Sequence, residues 1–165
     1  MTLRRHQQRS EGTPVMFSGR DLTTLSIWKG MPVVASFVAM IGIAQATDTI
    51  EGSFALCGTG KRITCVVDGD TFWLEGTKIR IADIDAPEIS EPACQAERRA
   101  GEVARERLLQ LLNAGPFSLV AGDRDQDRYG RKLRIVLRQN ASLGETLIRE
   151  GLARHWKSPR VSWCR

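Results

Sequence analysis

Short runs of strand-forming residues, the third of which alternates apolar and polar positions, mark three strands in the first half of the chain. Residues 63–67 and 71–74 are rich in β-branched and aromatic side chains, and a turn sequence containing two aspartates separates them. This pattern predicts a β-hairpin. In 78–81, isoleucines alternate with basic residues, which predicts a third strand with one buried face and one open face.

Helical spacing follows, and strands then return. Residues 96–112 carry apolar side chains three and four positions apart, with arginines and glutamates between them, which predicts an amphipathic helix. Strands are predicted at 117–120 and 133–137, and a capping box at 142–145 begins a short second helix. Five short strands interrupted by a helix favour a small Greek-key barrel of the OB-fold type, an α+β fold with two or three helices.

The first 46 residues have the features of an export signal. An uncharged apolar run at 31–43 follows Lys29 and precedes Ala-Gln-Ala at 44–46, a cleavage-site pattern. The run is shorter than the roughly 20 apolar residues that span a bilayer, so cleavage before Thr47 is favoured over a membrane anchor. We expect a periplasmic or secreted protein without stable membrane association, and a membrane-anchored one if the signal is not cleaved.

Cleavage would leave one compact domain, with 47–61 as a linker and 62–165 as the ordered part. It would also remove five basic and two acidic residues, so the formal net charge would fall from +5 to +2. Overall charge is therefore weak support for binding to nucleic acid. Basic residues do cluster locally, at Arg128, Arg131, Lys132 and Arg134, which is also compatible with an ordinary solvated strand edge.

All four cysteines lie after the export signal, and their spacing does not suggest zinc. Two disulfides in an oxidising compartment are therefore favoured. Three pairings are possible. We favour Cys57 with Cys65, which would clip the entry to a strand, and Cys94 with Cys164, which would tie down the tail.

Three carboxylates have the chemistry of a hydrolytic metal site. Asp70 and Asp85 offer hard anionic oxygens, which suit calcium or magnesium. Glu88 follows Pro87 in a stiff loop, where it could take a proton from an attacking water. Each residue alone has an ordinary explanation, as a turn aspartate or a solvated loop carboxylate.

Two arginines complete the set. Arg80 and Arg131 can each present a planar fork to phosphate oxygens. Strict strand alternation would place Arg80 and Asp85 on opposite faces of the sheet. A shared site therefore requires the strand to end or bulge between Ala82 and Ile84.

The motifs V-D-G-D-T, R-x-x-x-x-D-x-P-E, D-R-Y-G-R and L-I-R-E-G-L-A occur in this order between about residues 62 and 154. Together they resemble the staphylococcal nuclease, or thermonuclease, family. The resemblance implies a five-stranded barrel with helices and calcium-dependent hydrolysis of DNA and RNA that leaves 3′-phosphate ends.

The resemblance also implies roles for individual residues. It assigns one calcium ion to Asp70, Asp85 and the backbone carbonyl of Ala86. It assigns the general base to Glu88, phosphate stabilisation to Arg80 and Arg131, and nucleotide-phosphate contacts to Arg128 and Tyr129. Ala86 replaces the usual threonine of the family, a change that preserves the carbonyl.

After Ala153 the tail departs from the family pattern, and Trp156 could either stack on a base or seal the core. The sequence thus predicts an exported, monomeric, disulfide-stabilised calcium nuclease, with single-stranded DNA and RNA as the easier substrates and magnesium as the alternative metal. Two other functions remain: an inactive barrel that only binds nucleic acid, and an envelope protein that uses the barrel for contact with proteins or glycans.

Overall fold

A computed structural model describes residues 47–159 and 161–164 of the 165-residue chain. This part contains nine strands and two helices. The strands are β1 (Ala55–Leu56), β2 (Cys65–Asp68), β3 (Thr71–Leu74), β4 (Thr77–Ile81), β5 (Ile84–Asp85), β6 (Ser118–Gln126), β7 (Lys132–Arg138), β8 (Ala141–Ser142) and β9 (Arg154–His155). The helices are α1 (Gln95–Asn113) and α2 (Leu143–Arg149).

The main sheet is mixed. Its strand order is β1-β2-β3-β4-β7-β6, with β8 paired to β7, while β5 and β9 form a separate two-stranded sheet. The antiparallel meander β2-β3-β4 corresponds to the three strands predicted in the first half of the chain, and β4 then pairs in parallel with β7. This mixed sheet with two helices confirms the predicted α+β fold of the OB type.

The segment predicted to be a linker, 47–61, instead packs into the domain. Phe54 is 5% exposed, and its ring lies edge-on to Phe72 with 5.8 Å between the ring centroids. The backbone of Ile50 pairs with that of Phe117 in both directions. The segment has no hydrophobic period because it contributes single anchoring side chains rather than a regular face.

Two disulfides tie the ends of the described chain to the sheet and to α1. Cys57 is bonded to Cys65, which joins the residue after β1 to the start of β2. Cys94, the N-cap of α1, is bonded to Cys164, which returns the tail to the start of this helix. These are the two pairings that the sequence analysis favours.

The strand carrying Arg80 ends where a shared site requires it to end. β4 stops at Ile81, a bend occupies 82–83, and the chain resumes as β5 in the smaller sheet. The change of sheet lets Arg80, before the bend, and Asp85, after it, face each other. The predicted interruption between Ala82 and Ile84 is confirmed.

The predicted export signal at 1–46 lies outside the described residues. In the part of the chain that the structure does describe, neither helix is both long and apolar enough to cross a membrane.

Candidate active site

Asp70 lies at the end of the β2–β3 turn and is 3% exposed. Its Oδ1 accepts hydrogen bonds from Arg80 Nη1 at 2.7 Å and from the Thr71 hydroxyl at 2.8 Å. Its Oδ2 accepts one from the backbone N–H of Ala86 at 3.2 Å. The carboxylate therefore joins the hairpin, β4 and the loop after β5.

Burial raises the pKa of Asp70 to about 7, and the nearby negative charge of Asp68 adds to this rise. Arg80 and the hydrogen bonds from Thr71 and Ala86 oppose it. One guanidinium therefore compensates only part of the cost of burying this charge.

Asp85 lies at the end of β5 and faces two arginines. Its Oδ2 accepts hydrogen bonds from Arg154 Nε at 3.0 Å and Nη2 at 2.9 Å. Its Oδ1 is 3.5 Å from Arg80 Nη2. The guanidinium of Arg80, a residue 7% exposed, thus lies between Asp70 and Asp85.

Two glycines let the loop after β5 lie close to α1. A Cβ on Gly69 would be 2.7 Å from the Ala104 side chain and 2.8 Å from that of Ala86. A Cβ on Gly101 would be 2.7 Å from the carbonyl oxygen of Pro87. Both distances are shorter than atoms tolerate, so glycine at these positions allows the backbone beside Glu88 to rest directly on the helix.

Glu88 is exposed at the cleft, but surrounding atoms still remove part of its water. This partial burial is the main reason that the pKa of Glu88 is raised above the usual glutamate value. The charge of Asp70 adds to the rise, Arg80 opposes it, and Asp85 and Glu97 contribute smaller increases. A raised pKa brings a carboxylate closer to the value that suits proton transfer near neutral pH.

The loop 127–131 is organised by its own first residue. Asp127 Oδ1 accepts hydrogen bonds from the backbone N–H groups of Tyr129 at 2.9 Å and Arg131 at 3.0 Å. Its Oδ2 accepts one from Arg131 Nε at 2.6 Å. The ring of Tyr129 lies 4.7 Å from the guanidinium of Arg128 and 5.5 Å from that of Arg131.

A cleft of about 500 Å³ brings most of the predicted residues together. Two predicted residues do not line the cleft. Asp70 is buried behind it and contacts the lining residue Arg80. Arg128 stacks on the lining residue Tyr129. The cleft is lined by Lys78, Arg80, Asp85, Ala86, Glu88, Glu97, Tyr129, Arg131, Arg154, Trp156 and Trp163.

Sequence reasoning missed four residues that line this cleft, Lys78, Glu97, Arg154 and Trp163, and it left the role of Trp156 open. Trp156 is 48% exposed, and its ring lies 4.9 Å from the Arg80 guanidinium, so it lines the cleft rather than sealing the core. The position of Cys164 immediately after Trp163 was the available signal, because a disulfide to Cys94 brings that tryptophan back to the start of α1.

Comparison with known families places these residues in context. The sequence model of the family described as staphylococcal nuclease homologue matches residues 78–162, slightly more than half of the chain. The chain belongs to this family. The resemblance predicted from the motifs is therefore confirmed.

Several relatives in this nuclease family have names that state an activity. Endonuclease YncB of Bacillus subtilis is 39% identical over 94 residues, which cover 53% of this chain and 44% of the relative. The SPbeta prophage-derived endonuclease YokF of the same organism is also 39% identical over 94 residues, but these cover only 31% of its length. The thermonuclease of Staphylococcus hyicus is 26% identical over 138 residues, 78% of this chain and 80% of the relative. The chain thus spans less than half the length of the two Bacillus relatives.

The metal that this nuclease family implies can be tested against the residues present. Among residues 47–159 and 161–164, no group of three His, Cys, Asp or Glu side chains is placed to hold a metal ion. Asp70, Asp85 and the Ala86 carbonyl would supply only oxygen, and calcium accepts such ligands together with water. The donor set fits a hard divalent ion.

Proposed function

We propose that this protein is an exported, calcium-dependent nuclease that hydrolyses phosphodiester bonds of DNA and RNA with little sequence preference and leaves 3′-phosphate ends. The proposal depends on one observation above all. A single cleft contains a carboxylate of raised pKa, Glu88, and two arginines, Arg80 and Arg131. The endonuclease and thermonuclease relatives support the same activity.

Glu88 is the proposed general base. Its carboxylate lies at the mouth of the cleft, where it can accept a proton from a water that attacks phosphorus. The bond from phosphorus to the 5′-oxygen then breaks, which leaves a 3′-phosphate, and the released 5′-oxygen takes a proton from solvent. Pro87 before it and the close contact of this loop with Gly101 hold its backbone in place. A calcium ion held by Asp70, Asp85 and the Ala86 carbonyl would supply charge stabilisation for the phosphate and orient its oxygens.

The two arginines are proposed to stabilise the negative charge that grows on the phosphate. Arg131 uses Nε to bond Asp127, which leaves its two terminal nitrogens for phosphate oxygens. Arg80 bonds Asp70 and lies close to Asp85, so it must redirect at least one terminal nitrogen to reach a phosphate. The planar guanidinium of arginine presents parallel donors that match two phosphate oxygens.

Single strands are the proposed easier substrate because aromatic side chains line the cleft. Tyr129 is 67% exposed and Trp156 is 48% exposed. Exposed rings of this kind can stack on bases that a duplex would keep paired. We also propose that Arg128 and Tyr129 contact a nucleotide phosphate through the guanidinium and the phenol.

Export is proposed from the disulfides as well as from the sequence of 1–46. Both disulfides lie in the part of the chain that would remain after cleavage. Disulfides persist in oxidising compartments and are rare in the cytosol of most organisms. This supports a periplasmic or secreted protein.

The proposal is tested by incubating the oxidised protein with end-labelled single-stranded DNA in calcium, in magnesium and in chelator. We expect cleavage in calcium, products with 3′-phosphate ends, and no cleavage in chelator. Glu88→Gln should lower turnover by about 10²- to 10⁴-fold while oligonucleotide binding persists, because only the proton acceptor is lost.

Two results would favour other functions. Binding without cleavage in all three solutions would indicate an inactive OB barrel that only holds nucleic acid. No oligonucleotide binding even at low salt, where phosphate contacts are strongest, would favour an envelope protein that binds proteins or glycans.

A further inference from the structure

Arg154 lies directly opposite Asp85 in the antiparallel β5–β9 pair. Side chains at directly opposite positions of paired strands are neighbours. Two nitrogens of Arg154 donate to the same oxygen of Asp85, Oδ2, at 3.0 and 2.9 Å. The Arg154 side chain is 20% exposed, so water only partly screens this ion pair.

The two aspartates share one arrangement of their oxygens. Asp70 Oδ2 is bonded by the Ala86 N–H, and Asp70 Oδ1 faces Arg80 Nη1. Asp85 Oδ2 is bonded by Arg154, and Asp85 Oδ1 faces Arg80 Nη2. In each carboxylate, Oδ2 accepts hydrogen bonds from the surrounding protein, and Oδ1 faces a terminal nitrogen of the Arg80 guanidinium.

The tail of the chain in turn holds Arg154. We call residues 157–159 and 161–164 the C-terminal strap. The Nη1 of Arg154 donates to the carbonyl oxygen of Val161, and the ring of Trp163 lies 4.8 Å from its guanidinium. Cys164, the next residue, is bonded to Cys94 at the start of α1. Arg154 is therefore fixed by β9 on one side and by the C-terminal strap on the other.

We propose that Arg154 is a positioning residue for the calcium site and that the C-terminal strap keeps it in place. By binding Oδ2, it sets the rotation of the Asp85 carboxylate so that Oδ1 turns toward the side where Asp70 Oδ1 lies. Arg80 occupies the space between the two Oδ1 atoms in this structure and must turn toward the phosphate for calcium to bind there. Groups that hydrogen-bond metal-binding carboxylates commonly set metal affinity in this way. The inference rests on the proposed function, because it assigns Asp85 to the metal.

The test is a calorimetric titration of calcium into the oxidised protein without nucleic acid. Arg154→Ala should weaken calcium binding by about 10- to 100-fold, the usual effect of removing such a partner. Arg107→Ala is the matched control, because Arg107 also donates two hydrogen bonds to one carboxylate, that of Glu150, at 2.8 Å each and outside the cleft. It should leave calcium affinity within about twofold of the parent.

A second pair of variants tests the C-terminal strap. These variants also test the positioning role if Arg154→Ala does not fold. C94S/C164S frees the strap, and serine at position 94 can still cap α1. C57S/C65S removes the other disulfide without freeing the strap. Only the first pair should weaken calcium binding, whereas both should lower the melting temperature.

The outcomes separate this inference from the proposed function. If the parent binds calcium and neither Arg154→Ala nor C94S/C164S changes its calcium affinity, the inference is overturned and the proposed calcium site stands. Equal losses for both cysteine pairs would also overturn it, since they would reflect general destabilisation. A parent that does not bind calcium would overturn the inference together with the proposed calcium dependence.

Discussion

The two sides of the cleft are held in place by contacts from different parts of the chain. The floor, which we define as Asp70, Arg80 and Asp85, is built on the sheet, and two of its members are 3% and 7% exposed. The outer wall, defined as loop 127–131, is held by Asp127 within five consecutive residues. The floor therefore depends on the fold around it, whereas the wall carries its own support.

The pKa values of the two key aspartates show the same contrast. Burial raises the pKa of Asp70 to about 7, because Arg80 and the other donors compensate it incompletely. Burial also acts to raise the pKa of Asp127, but bonds from Arg131 and the backbone of Tyr129 outweigh it and lower the pKa. The buried charge in the floor thus opposes folding as the pH rises above about 4, whereas the charge in the wall stabilises its loop.

The largest effect that should separate floor from wall comes from removing one arginine at a time. Arg80→Ala and Arg131→Ala should each slow cleavage by about 10²-fold or more, because each removes a charge that stabilises the transition state. Arg80→Ala should also lower the free energy of unfolding by on the order of 3 kcal/mol, since it leaves two carboxylates without their shared partner. Arg131→Ala should lower it by less than about 1 kcal/mol.

Single-turnover cleavage and chemical denaturation of both variants provide the measurements. Equal losses of stability would mean that the floor and the wall do not differ in the way described. A variant that keeps the parent's cleavage rate would remove its arginine from the proposed phosphate-binding role.

The dependence of stability on pH should also distinguish the two aspartates, without a change in the cleavage step. The folded pKa of Asp70 lies above its ordinary value of 3.8, so its ionisation destabilises the fold progressively between about pH 4 and pH 7. In chelator, the stability of Asp70→Asn relative to the parent should therefore rise across this interval, by on the order of 2–4 kcal/mol.

Asp127→Asn should behave in the opposite way. Its folded pKa lies below 3.8, so its stabilising contribution is present at neutral pH and is lost as the pH falls below about 4. The variant should be less stable than the parent at pH 7 and similar to it in strong acid. Thermal melts of both variants from pH 3 to pH 8 would check the two signs, and parallel curves would contradict the contrast.

The floor was more predictable from sequence than the surroundings that support it. Alternation located β4 and Arg80, and the need to bring Asp85 to the same cleft predicted the interruption between Ala82 and Ile84. The two-residue strand containing Arg154 has no pattern of its own, because its pairing with β5 depends on the completed fold. The favoured Cys94–Cys164 disulfide could have brought Trp163 to the start of α1, but the stacking of its ring on Arg154 depends on the completed fold.

The smallest effect is expected at the rim of the wall, where Arg128 is exposed and stacks on Tyr129. Arg128→Ala should weaken oligonucleotide binding only a few-fold, leave turnover within about twofold, and reduce the slope of log affinity against log salt by about one. Arg149→Ala is the matched control, because it removes an exposed charge from α2 outside the cleft. If both variants reduce the slope equally, Arg128 contributes only general positive charge. If only Arg128→Ala does, the wall extends the phosphate contacts beyond the residues that line the cleft.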